Sequence, residues 1–389
     1  MPGYELIGEE ERAAVNELFD DGGVLFAHGF DGVRNGRYRV REFEEQFADY
    51  LGVNYAQAVS SGTAALKVAL VAMGVKPGDE VITQAFTFVA TAEAIIDVGA
   101  KPVFVNIDET LNMDPGDLER AVSEKTAAII PVHMLGVAAD LGRIHPIAEK
   151  YGIPVLDDTC ESLGAEWGNE KLGTQSLASA WSFDAGKTVI AGEGGMITTN
   201  DEGLYQLARE YHDHGHMYNP NLPRGRDTHR IPGFNYRMTE VQAAIVSAQL
   251  KKLDYIVERN RCNSAVIESA VSDLDGVKMR SIPALCKPLC DTVIMQFESD
   301  EIASRCVMSL TENGLGTKNV PDAIEWHFAV YWGHMQDEIG CSQEESRILL
   351  KQSNDIVKRC VALPVLVNMT EEQVKNNADT VRMIVQELS

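Results

Sequence analysis

Lys187 stands where a lysine could react with a carbonyl group. It ends the segment SFDAGK after a short apolar run, and the glycine-rich GEGG at positions 192–195 follows closely. A lysine amine is a weak nucleophile at its ordinary pKa of about 10.4, but beside a carbonyl group it forms a Schiff base. Glycines let the backbone pass close to a bulky group. Taken alone, Lys187 could equally be a solvated surface side chain.

Two further stretches could complete such a site. Asp158 ends the apolar run in VLDD, so its carboxylate could pair with a cationic nitrogen. Gly62 and Thr63 open a helical stretch in SSGTAAL, where free backbone N–H groups suit a phosphate. Each feature has an ordinary alternative, since Asp158 could cap a turn and the small residues could form a simple helix N-cap. Together with Lys187 they supply the phosphate cradle, the acid and the lysine that a pyridoxal phosphate site requires.

Alternating strands and helices must position these residues. Between about residues 55 and 200, apolar runs such as EVITQAFTF and KPVFVNID each precede a helical pattern. This alternation is typical of a largely parallel sheet covered by helices, with ligands at the carboxyl ends of the strands. Phe88 ends one such run, where its ring could stack on the pyridine ring of the cofactor. The pattern changes beyond residue 240 to long helical spacing and irregular strands, which places a domain boundary near residue 250.

The order of the motifs resembles the DegT/DnrJ/EryC1/StrS family of pyridoxal-phosphate-dependent sugar aminotransferases. The motifs cover most of the chain and include SGTAAL, FTFVATAEAI, IIPVHMLG, VLDDTCESLGA, GKTVIAGEGGMITTND, GFNYRMTEVQAAI and LPVLVNMTEEQV. The resemblance implies an α/β aspartate-aminotransferase-like structure (fold type I). A large cofactor-binding domain with a mostly parallel mixed sheet would span residues 1–250, and a smaller α+β domain would span residues 251–389.

The resemblance also assigns roles to individual residues. Lys187 would form the Schiff base and act as general acid and base, and Asp158 would contact the pyridinium nitrogen. The phosphate would be bound by Gly62, Thr63 and Ser182. The reaction implied is the transfer of an amino group from L-glutamate to a keto or aldehyde carbon of a sugar.

Three further positions follow from the same resemblance. The segment GFNYRM resembles a loop that reaches into the site of the neighbouring subunit, so Asn235 would bind cofactor and Arg237 substrate across a homodimer. The family usually has Gln three residues after the aspartate, whereas this chain has Glu161. A Gln amide can donate a hydrogen bond to the cofactor's phenolic oxygen, but an ionised Glu only accepts. As a cofactor-binding residue, Glu161 must therefore be protonated, turned away, or bonded to a donor on the substrate.

An arginine-rich segment could bind the substrate. Arg34, Arg37, Arg39 and Arg41 lie close together in an acidic chain, where the family places a loop at the substrate entrance. They could clamp a carboxylate or a pyrophosphate, or form a solvated stripe paired with neighbouring glutamates. His327, in the aromatic segment EWHFAVYWGHM, could line the substrate pocket or belong to the core.

These two segments make the chain resemble the family members that use a free sugar acid. The expected substrate is therefore 8-oxo-3-deoxy-manno-octulosonate, which would give 8-amino-3,8-dideoxy-manno-octulosonate for lipopolysaccharide. The alternative substrate is a nucleotide-linked 4-keto or 3-keto deoxyhexose. Other readings are a dehydratase or aromatising synthase of the same family and, from another class, a cofactor-binding regulatory or sensor protein.

Composition narrows the class of protein. The 389 residues suffice for two domains, and the net charge of −24 argues against nucleic acid as a partner. The N-terminus lacks the features of a signal peptide and no apolar run approaches a membrane span, which predicts a cytoplasmic protein without a membrane partner. The seven cysteines include no CxxC pair, and the alternating histidines of YHDHGH lack a nearby ligand set. The sequence therefore predicts reduced thiols and no metal.

Overall fold

A computed structural model of the chain describes residues 2–388. The strands are β1 (Tyr55–Val59), β2 (Glu80–Gln84), β3 (Lys101–Val105), β4 (Thr126–Ile130), β5 (Leu156–Asp158), β6 (Glu166–Trp167), β7 (Glu170–Lys171), β8 (Ala178–Ser182), β9 (Gly195–Thr199), β10 (Val277–Met279), β11 (Cys286–Lys287), β12 (Thr292–Phe297) and β13 (Cys360–Pro364). The helices are α1 (Pro2–Glu5), α2 (Glu9–Asp20), α3 (Arg39–Leu51), α4 (Gly62–Ala72), α5 (Val89–Asp97), α6 (Pro115–Ala121), α7 (Leu141–Tyr151), α8 (Glu202–Tyr211), α9 (Glu240–Leu250), α10 (Leu253–Val271), α11 (Asp300–Glu312), α12 (Ile324–His327), α13 (Gln336–Ile339), α14 (Gln343–Leu349), α15 (Lys351–Val357) and α16 (Glu371–Leu388).

The main sheet has the spatial order β3-β2-β4-β5-β8-β9-β1. Isolated parallel bridges from Ile129 to Val155 and from Val132 to Asp158 join the group β3-β2-β4 to the group β5-β8-β9-β1. β9 runs antiparallel to both of its neighbours, and the other strands run parallel to one another. The sheet is therefore mixed and mostly parallel, as the alternating pattern predicts.

Helices cover the strands of the main sheet, which explains their continuous apolar runs. α4 is buried around most of its circumference because it packs against α5, α8 and β8. Its sequence GTAALKVALVA is correspondingly apolar apart from its first turn and one lysine. Because polar side chains are excluded from such buried strands, they gather at the carboxyl edge of the sheet.

The C-terminal part of the chain, from α10 onwards, has a second hydrophobic core. The antiparallel sheet β10-β12-β13 packs with α10, α11 and α16. The expected boundary near residue 250 falls between the end of α9 and the start of α10. However, apolar side chains from residues 328–339 pack into the core of the main sheet, so the division of the chain at this point stays a prediction. No helix within residues 2–388 is both long and apolar enough to cross a bilayer.

Candidate active site

The carboxyl edge of the main sheet borders a cleft of about 420 Å³, a volume within the usual range for small-molecule sites. The turns after β1, β2, β5 and β8 form its walls, and a loop from the C-terminal part closes one side. Most of the expected site residues line this cleft, namely Gly62, Thr63, Phe88, Asp158, Glu161, Ser182, Lys187 and His327. Residues far apart in sequence thus meet at one place.

The N-terminus of α4 forms one end of the cleft. Ser61 caps the helix by accepting a hydrogen bond of 3.1 Å from the N–H of Ala64, and Gly62 and Thr63 provide the next amides of an open helix end. A Cβ atom on Gly62 would lie 2.8 Å from Cβ of Ser182. This close approach holds the Ser182 hydroxyl beside the helix end, where an anion could contact both.

Gly195 allows a second close approach at the same place. A Cβ atom there would lie 2.2 Å from the carbonyl oxygen of Ser61 and 2.9 Å from the nitrogen of Gly62. The glycines after Lys187 therefore bring β9 against the start of α4, rather than only leaving space for a bound group. No side chain is tolerated at this crossing unless the backbone moves.

We expect Gly195→Ala to destabilise the protein by about 1–3 kcal/mol, because the added methyl group forces the backbone of the helix start to shift. Thermal unfolding with and without pyridoxal phosphate would measure the loss of stability and of cofactor stabilisation. Gly225→Ala is the matched control, since a Cβ atom there meets nothing within 4 Å. Equal unfolding temperatures for the two variants would contradict the crowding inferred at Gly195.

Asp158 is a buried carboxylate at the end of β5. It is 4% exposed, and its oxygens accept hydrogen bonds from Thr91 Oγ1 at 2.9 Å and from the N–H of Cys160 at 3.2 Å. Burial raises the pKa of Asp158, although the hydrogen bonds from Cys160 and Thr91 oppose this rise. Within residues 2–388 no cationic side chain lies in ion-pair contact with it, so the carboxylate is available to a cationic nitrogen in the cleft.

A tight turn after β8 presents Lys187 to the cleft. Asp184 fixes this turn, because its carboxylate accepts from the N–H of Gly186 at 2.8 Å and its carbonyl accepts from the N–H of Lys187 at 3.0 Å. The Lys187 side chain is 19% exposed, and its Nζ lies 3.6 Å from Glu161 Oε1. The alternative of a solvated surface lysine does not agree with this burial.

Glu161 is ionised and accepts hydrogen bonds from donors of its own chain, an arrangement that the three alternatives considered from the sequence did not include. Its two oxygens accept hydrogen bonds from the N–H of Leu135 at 3.2 Å and from the Asn319 amide at 3.4 Å. Burial alone would raise its pKa, but Lys187, His327 and Lys318 lower the pKa of Glu161 to about 2. The side chain is therefore an acceptor at neutral pH.

Aromatic side chains form the mouth of the cleft. Phe88 is 40% exposed, and its ring lies 5.2 Å from that of His327 and 6.5 Å from that of Trp326, measured between centroids. His327 is buried, lines the cleft, and makes a 2.8 Å hydrogen bond through Nδ1 to the carbonyl of Ala323. Trp326, 61% exposed, extends the aromatic surface outwards.

Several residues of the cleft were missed by sequence reasoning. Lys318 and Asn319, in GTKNVP, reach the site from the C-terminal part, and Lys318 Nζ lies 2.6 Å from Asp291 Oδ2. Thr91 and Cys160 bond to Asp158. No local motif marks Lys318 or Asn319, because only the packing of the C-terminal part against the main sheet brings them to the cleft.

The arginine-rich segment does not line this cleft, contrary to the expected position at the substrate. Arg34 is 2% exposed and donates to the carbonyl of Phe26, with Glu240 at 3.8 Å. Arg37 makes a bidentate pair with Glu42 at 2.8 and 3.0 Å, and Arg39 contacts Asp21 at 2.8 Å. Within one chain the acidic partners therefore occupy these guanidinium groups.

Asn235 and Arg237 also lie outside the cleft of their own chain. The backbone of Arg237 pairs with Val59 at the end of β1, and its guanidinium contacts the buried Asp213 at 2.5 Å. Asn235 is exposed. Their predicted action in a neighbouring subunit stays a prediction.

The histidines of the segment 212–216 do not gather ligands. His212 is buried, and burial lowers its pKa to about 4. Its Nε2 lies 3.3 Å from the Gln57 amide, while His216 faces Asp227 at 3.3 Å. In the part of the chain that the structure describes, no group of three or more His, Cys, Asp or Glu side chains could hold a metal ion.

Comparison with known proteins decides the family. The sequence profile of the DegT/DnrJ/EryC1/StrS aminotransferase family matches residues 9–382. The chain belongs to this family. As a DegT/DnrJ/EryC1/StrS protein it is a pyridoxal-phosphate-dependent sugar aminotransferase, which confirms the expected enzyme class and cofactor.

The chain is also similar to individual proteins that carry different names. The chain is 42% identical over 340 residues to the pleiotropic regulatory protein of Geobacillus stearothermophilus, an alignment that covers 86% of each protein. It is 43% identical over 228 residues to the GDP-perosamine synthase of Caulobacter vibrioides, covering 58% of this chain and 60% of that protein. The crystal structure of 3-amino-5-hydroxybenzoic acid synthase superposes with a TM-score of 0.85 at 29% identity, covering 99% of this chain and 98% of that one. The expected fold type I architecture is thereby confirmed.

The cleft suits pyridoxal phosphate in three independent respects. The helix end beside Ser182 can receive the phosphate group, because crowding at Gly62 and Gly195 keeps side chains out of it. The buried Asp158 carboxylate, without an ion-pair partner in residues 2–388, can receive a protonated ring nitrogen. Lys187 reaches the same cleft from the next strand.

Proposed function

We propose that this enzyme transfers the amino group of L-glutamate to the keto carbon of a nucleotide-linked deoxyhexose. The observation that carries the proposal is the similarity to GDP-perosamine synthases, which includes the Vibrio cholerae protein at 28% identity over 98% of both chains. The exposed ring of Trp326, beside Phe88 at the cleft mouth, supports it, because aromatic rings provide stacking surface for a base or a sugar.

The free sugar acid is the weaker candidate. Its carboxylate, remote from the reacting carbon, needs a cationic anchor, and the arginine-rich segment was the expected one. Arg37 and Arg39 are instead bound to acidic side chains, and within the described residues no arginine lines the cleft. The formation of 8-amino-3,8-dideoxy-manno-octulosonate for lipopolysaccharide thus loses its main support from the sequence.

In this proposal each residue of the cleft has a separate role. Bound pyridoxal phosphate supplies the electron sink for breaking a bond at the amino-bearing carbon. The start of α4, with Thr63 and Ser182, holds its phosphate, and Phe88 packs on its ring. Asp158 keeps a proton on the ring nitrogen, and Lys187 Nζ takes up and returns the proton that moves during transfer.

A substrate screen tests the proposal directly. The loaded enzyme and L-glutamate would be incubated separately with nucleotide-linked 4-keto and 3-keto deoxyhexoses and with the free 8-oxo sugar acid, followed by mass spectrometry of the amino products. We expect an amino product from a nucleotide-linked sugar. Amination of the sugar acid alone would overturn the substrate proposed here, and dehydration or aromatisation without amination would indicate a different reaction of the family.

The same protein can be tested for a regulatory role. A sensor would bind pyridoxal phosphate without consuming an amino donor, whereas an aminotransferase changes the absorbance of its cofactor when L-glutamate is added. We expect L-glutamate alone, without any sugar, to change the cofactor absorbance, because the transfer of its amino group to the cofactor needs no second substrate. A stable spectrum with all amino donors would support the regulatory alternative.

We further propose a homodimer with shared sites. Two exposed aromatic side chains lie at the loop carrying Asn235 and Arg237, namely Phe234 within it and Phe26 against the guanidinium of Arg237, and such a surface suits a subunit contact. In this proposal the exposed Asn235, and Arg237 held by its ion pair with Asp213, serve the site of the partner and not the cleft of their own chain.

Mixing two inactive variants is expected to restore activity if sites are shared. A mixed dimer of Lys187→Ala and Arg237→Ala has one site with both residues intact, so equal mixing should return about a quarter of the activity. The matched control mixes Lys187→Ala with Asp158→Asn, because both residues border the same cleft of one chain and no intact site can form. Absence of recovery after verified subunit exchange would contradict sharing through Arg237.

A further inference from the structure

We infer that Glu161 is a positioning residue of the proton-transfer step, and that its carboxylate holds a proton on the nitrogen of Lys187. This inference rests on the proposed function and concerns the same cleft. Glu161 Oε1 lies 3.6 Å from Lys187 Nζ, although the two residues follow different strands, β5 and β8. Within residues 2–388, no other carboxylate lies in ion-pair contact with this lysine.

Glu161 is held in place from both sides. The N–H of Leu135 donates to Oε2, and the Asn319 amide donates to Oε1 from the C-terminal part of the chain. The side chain is 13% exposed. A carboxylate anchored through both oxygens cannot readily turn away from Lys187, so its charge acts at a fixed distance.

His327 faces the Glu161 carboxylate from a third direction. Its Nδ1 faces the carbonyl of Ala323 at 2.8 Å, and a carbonyl only accepts, so Nδ1 carries hydrogen. The other ring nitrogen, Nε2, lies 3.8 Å from Glu161 Oε1. The imidazole thus lies beside the carboxylate, and its electrostatic effect lowers the pKa of Glu161.

Other charged or titratable groups face this cluster, but they do not replace Glu161. The cationic groups are Lys187, His327, Lys318 and Arg280, and the acidic or thiol groups are Asp158, Asp184, Asp291 and Cys160. Lys318 is paired with Asp291 at 2.6 Å, which reduces its effect on the cleft. Asp158 accepts hydrogen bonds from Thr91 and Cys160, and within residues 2–388 it makes no ion-pair contact with Lys187.

The charge of Glu161 decides the direction of the effect on Lys187. Burial alone lowers the pKa of Lys187, but Glu161 and then Cys160 and Asp158 raise it, and the net result lies above the ordinary value. A neutral amide at position 161 would no longer raise the pKa of Lys187, whereas burial would still lower it. The Lys187 nitrogen would therefore lose its proton at a lower pH. The amide that the family usually has here would not hold the proton in this way.

The test is a pH titration of the visible absorbance of the protein loaded with pyridoxal phosphate, without any substrate. The absorbance changes when the nitrogen contributed by Lys187 loses its proton, and Glu161→Gln keeps both the size of the side chain and an acceptor oxygen for Leu135. We expect the midpoint of this change to fall by about 1–3 pH units in Glu161→Gln.

Glu193→Gln is the matched control. Glu193 lines the same cleft but is exposed to solvent, so the loss of its charge is screened and the midpoint should stay within a few tenths of a pH unit. An unchanged midpoint in loaded Glu161→Gln would overturn the inference while leaving the proposed function intact. Failure of the wild-type protein to bind pyridoxal phosphate would instead contradict both.

A second measurement covers the case in which Glu161→Gln does not retain the cofactor. In the cofactor-free proteins, the pH dependence of Lys187 modification by an amine-reactive reagent can be followed by peptide mass spectrometry. We expect the midpoint pH of Lys187 modification to be lower in the variant, by about the same 1–3 pH units as the absorbance midpoint. Lys171 should react alike in both proteins. Equal reactivity of Lys187 in the two proteins would overturn the inference.

Discussion

Lys187→Ala is expected to lower kcat by at least about 1,000-fold, because the variant lacks both the amine that bonds to the cofactor and the group that moves the proton. The cleft should still bind pyridoxal phosphate non-covalently, since the helix end, Ser182 and Asp158 are unchanged. Activity with L-glutamate and the sugar product, together with the absorbance of the bound cofactor, would be measured for both proteins.

Covalent labelling identifies the lysine independently of kinetics. Borohydride reduction of the loaded wild-type protein, followed by peptide mapping, should attach the cofactor to Lys187. Lys318→Ala provides the control, because Lys318 is the other lysine that lines the cleft and its removal should leave the label on Lys187. A label on Lys318, or a Lys187→Ala protein with near-normal turnover, would disprove the assignment of Lys187.

Asp158→Asn should lower kcat by about 100–1,000-fold, the usual cost of removing one group that stabilises charge in a reaction. A neutral amide no longer favours the protonated ring nitrogen, whereas its oxygen can still accept from the N–H of Cys160 and its NH2 group can donate to the Thr91 hydroxyl. The KM for L-glutamate should change less than kcat, since Asp158 supports the reacting ring and not substrate binding. Steady-state kinetics of the loaded variant would separate the two effects.

The neighbouring acid gives a matched control for Asp158. Asp157 is also fully buried, but its carboxylate accepts from the Ser176 hydroxyl at 2.8 Å and faces His133 at 3.5 Å, outside the residues that line the cleft. We therefore expect Asp157→Asn to reduce stability and to change kcat by less than about 10-fold. Near-normal activity of Asp158→Asn, with loss of activity in Asp157→Asn, would show that Asp157 and not Asp158 contacts the ring nitrogen.

The sequence alone determined the parts of the site that are carried by local structure. Asp158 and Ser182 end buried parallel strands, Lys187 follows in the next turn, and Gly62 and Thr63 open a helix directly after a strand. The carboxyl ends of such strands lie along one edge of the sheet, which predicts that these residues lie close together. The family, the fold and the cofactor followed from the same motifs because their order and spacing are specific.

Only the tertiary structure decided the properties that depend on contacts between distant segments. Lys318 and Asn319 reach the cleft because the C-terminal part packs against the main sheet, which no local pattern encodes. The ionised state of Glu161 depends on where Lys187 and His327 come to lie, since burial alone raises the pKa of this carboxylate and these two side chains lower it. The arginine-rich segment shows the opposite case: its cationic residues suited an anion site in sequence, but folding placed Asp21, Glu42 and Glu240 beside them. A charge's partners are set by distances in three dimensions, and sequence spacing does not fix those distances beyond a single helix or strand.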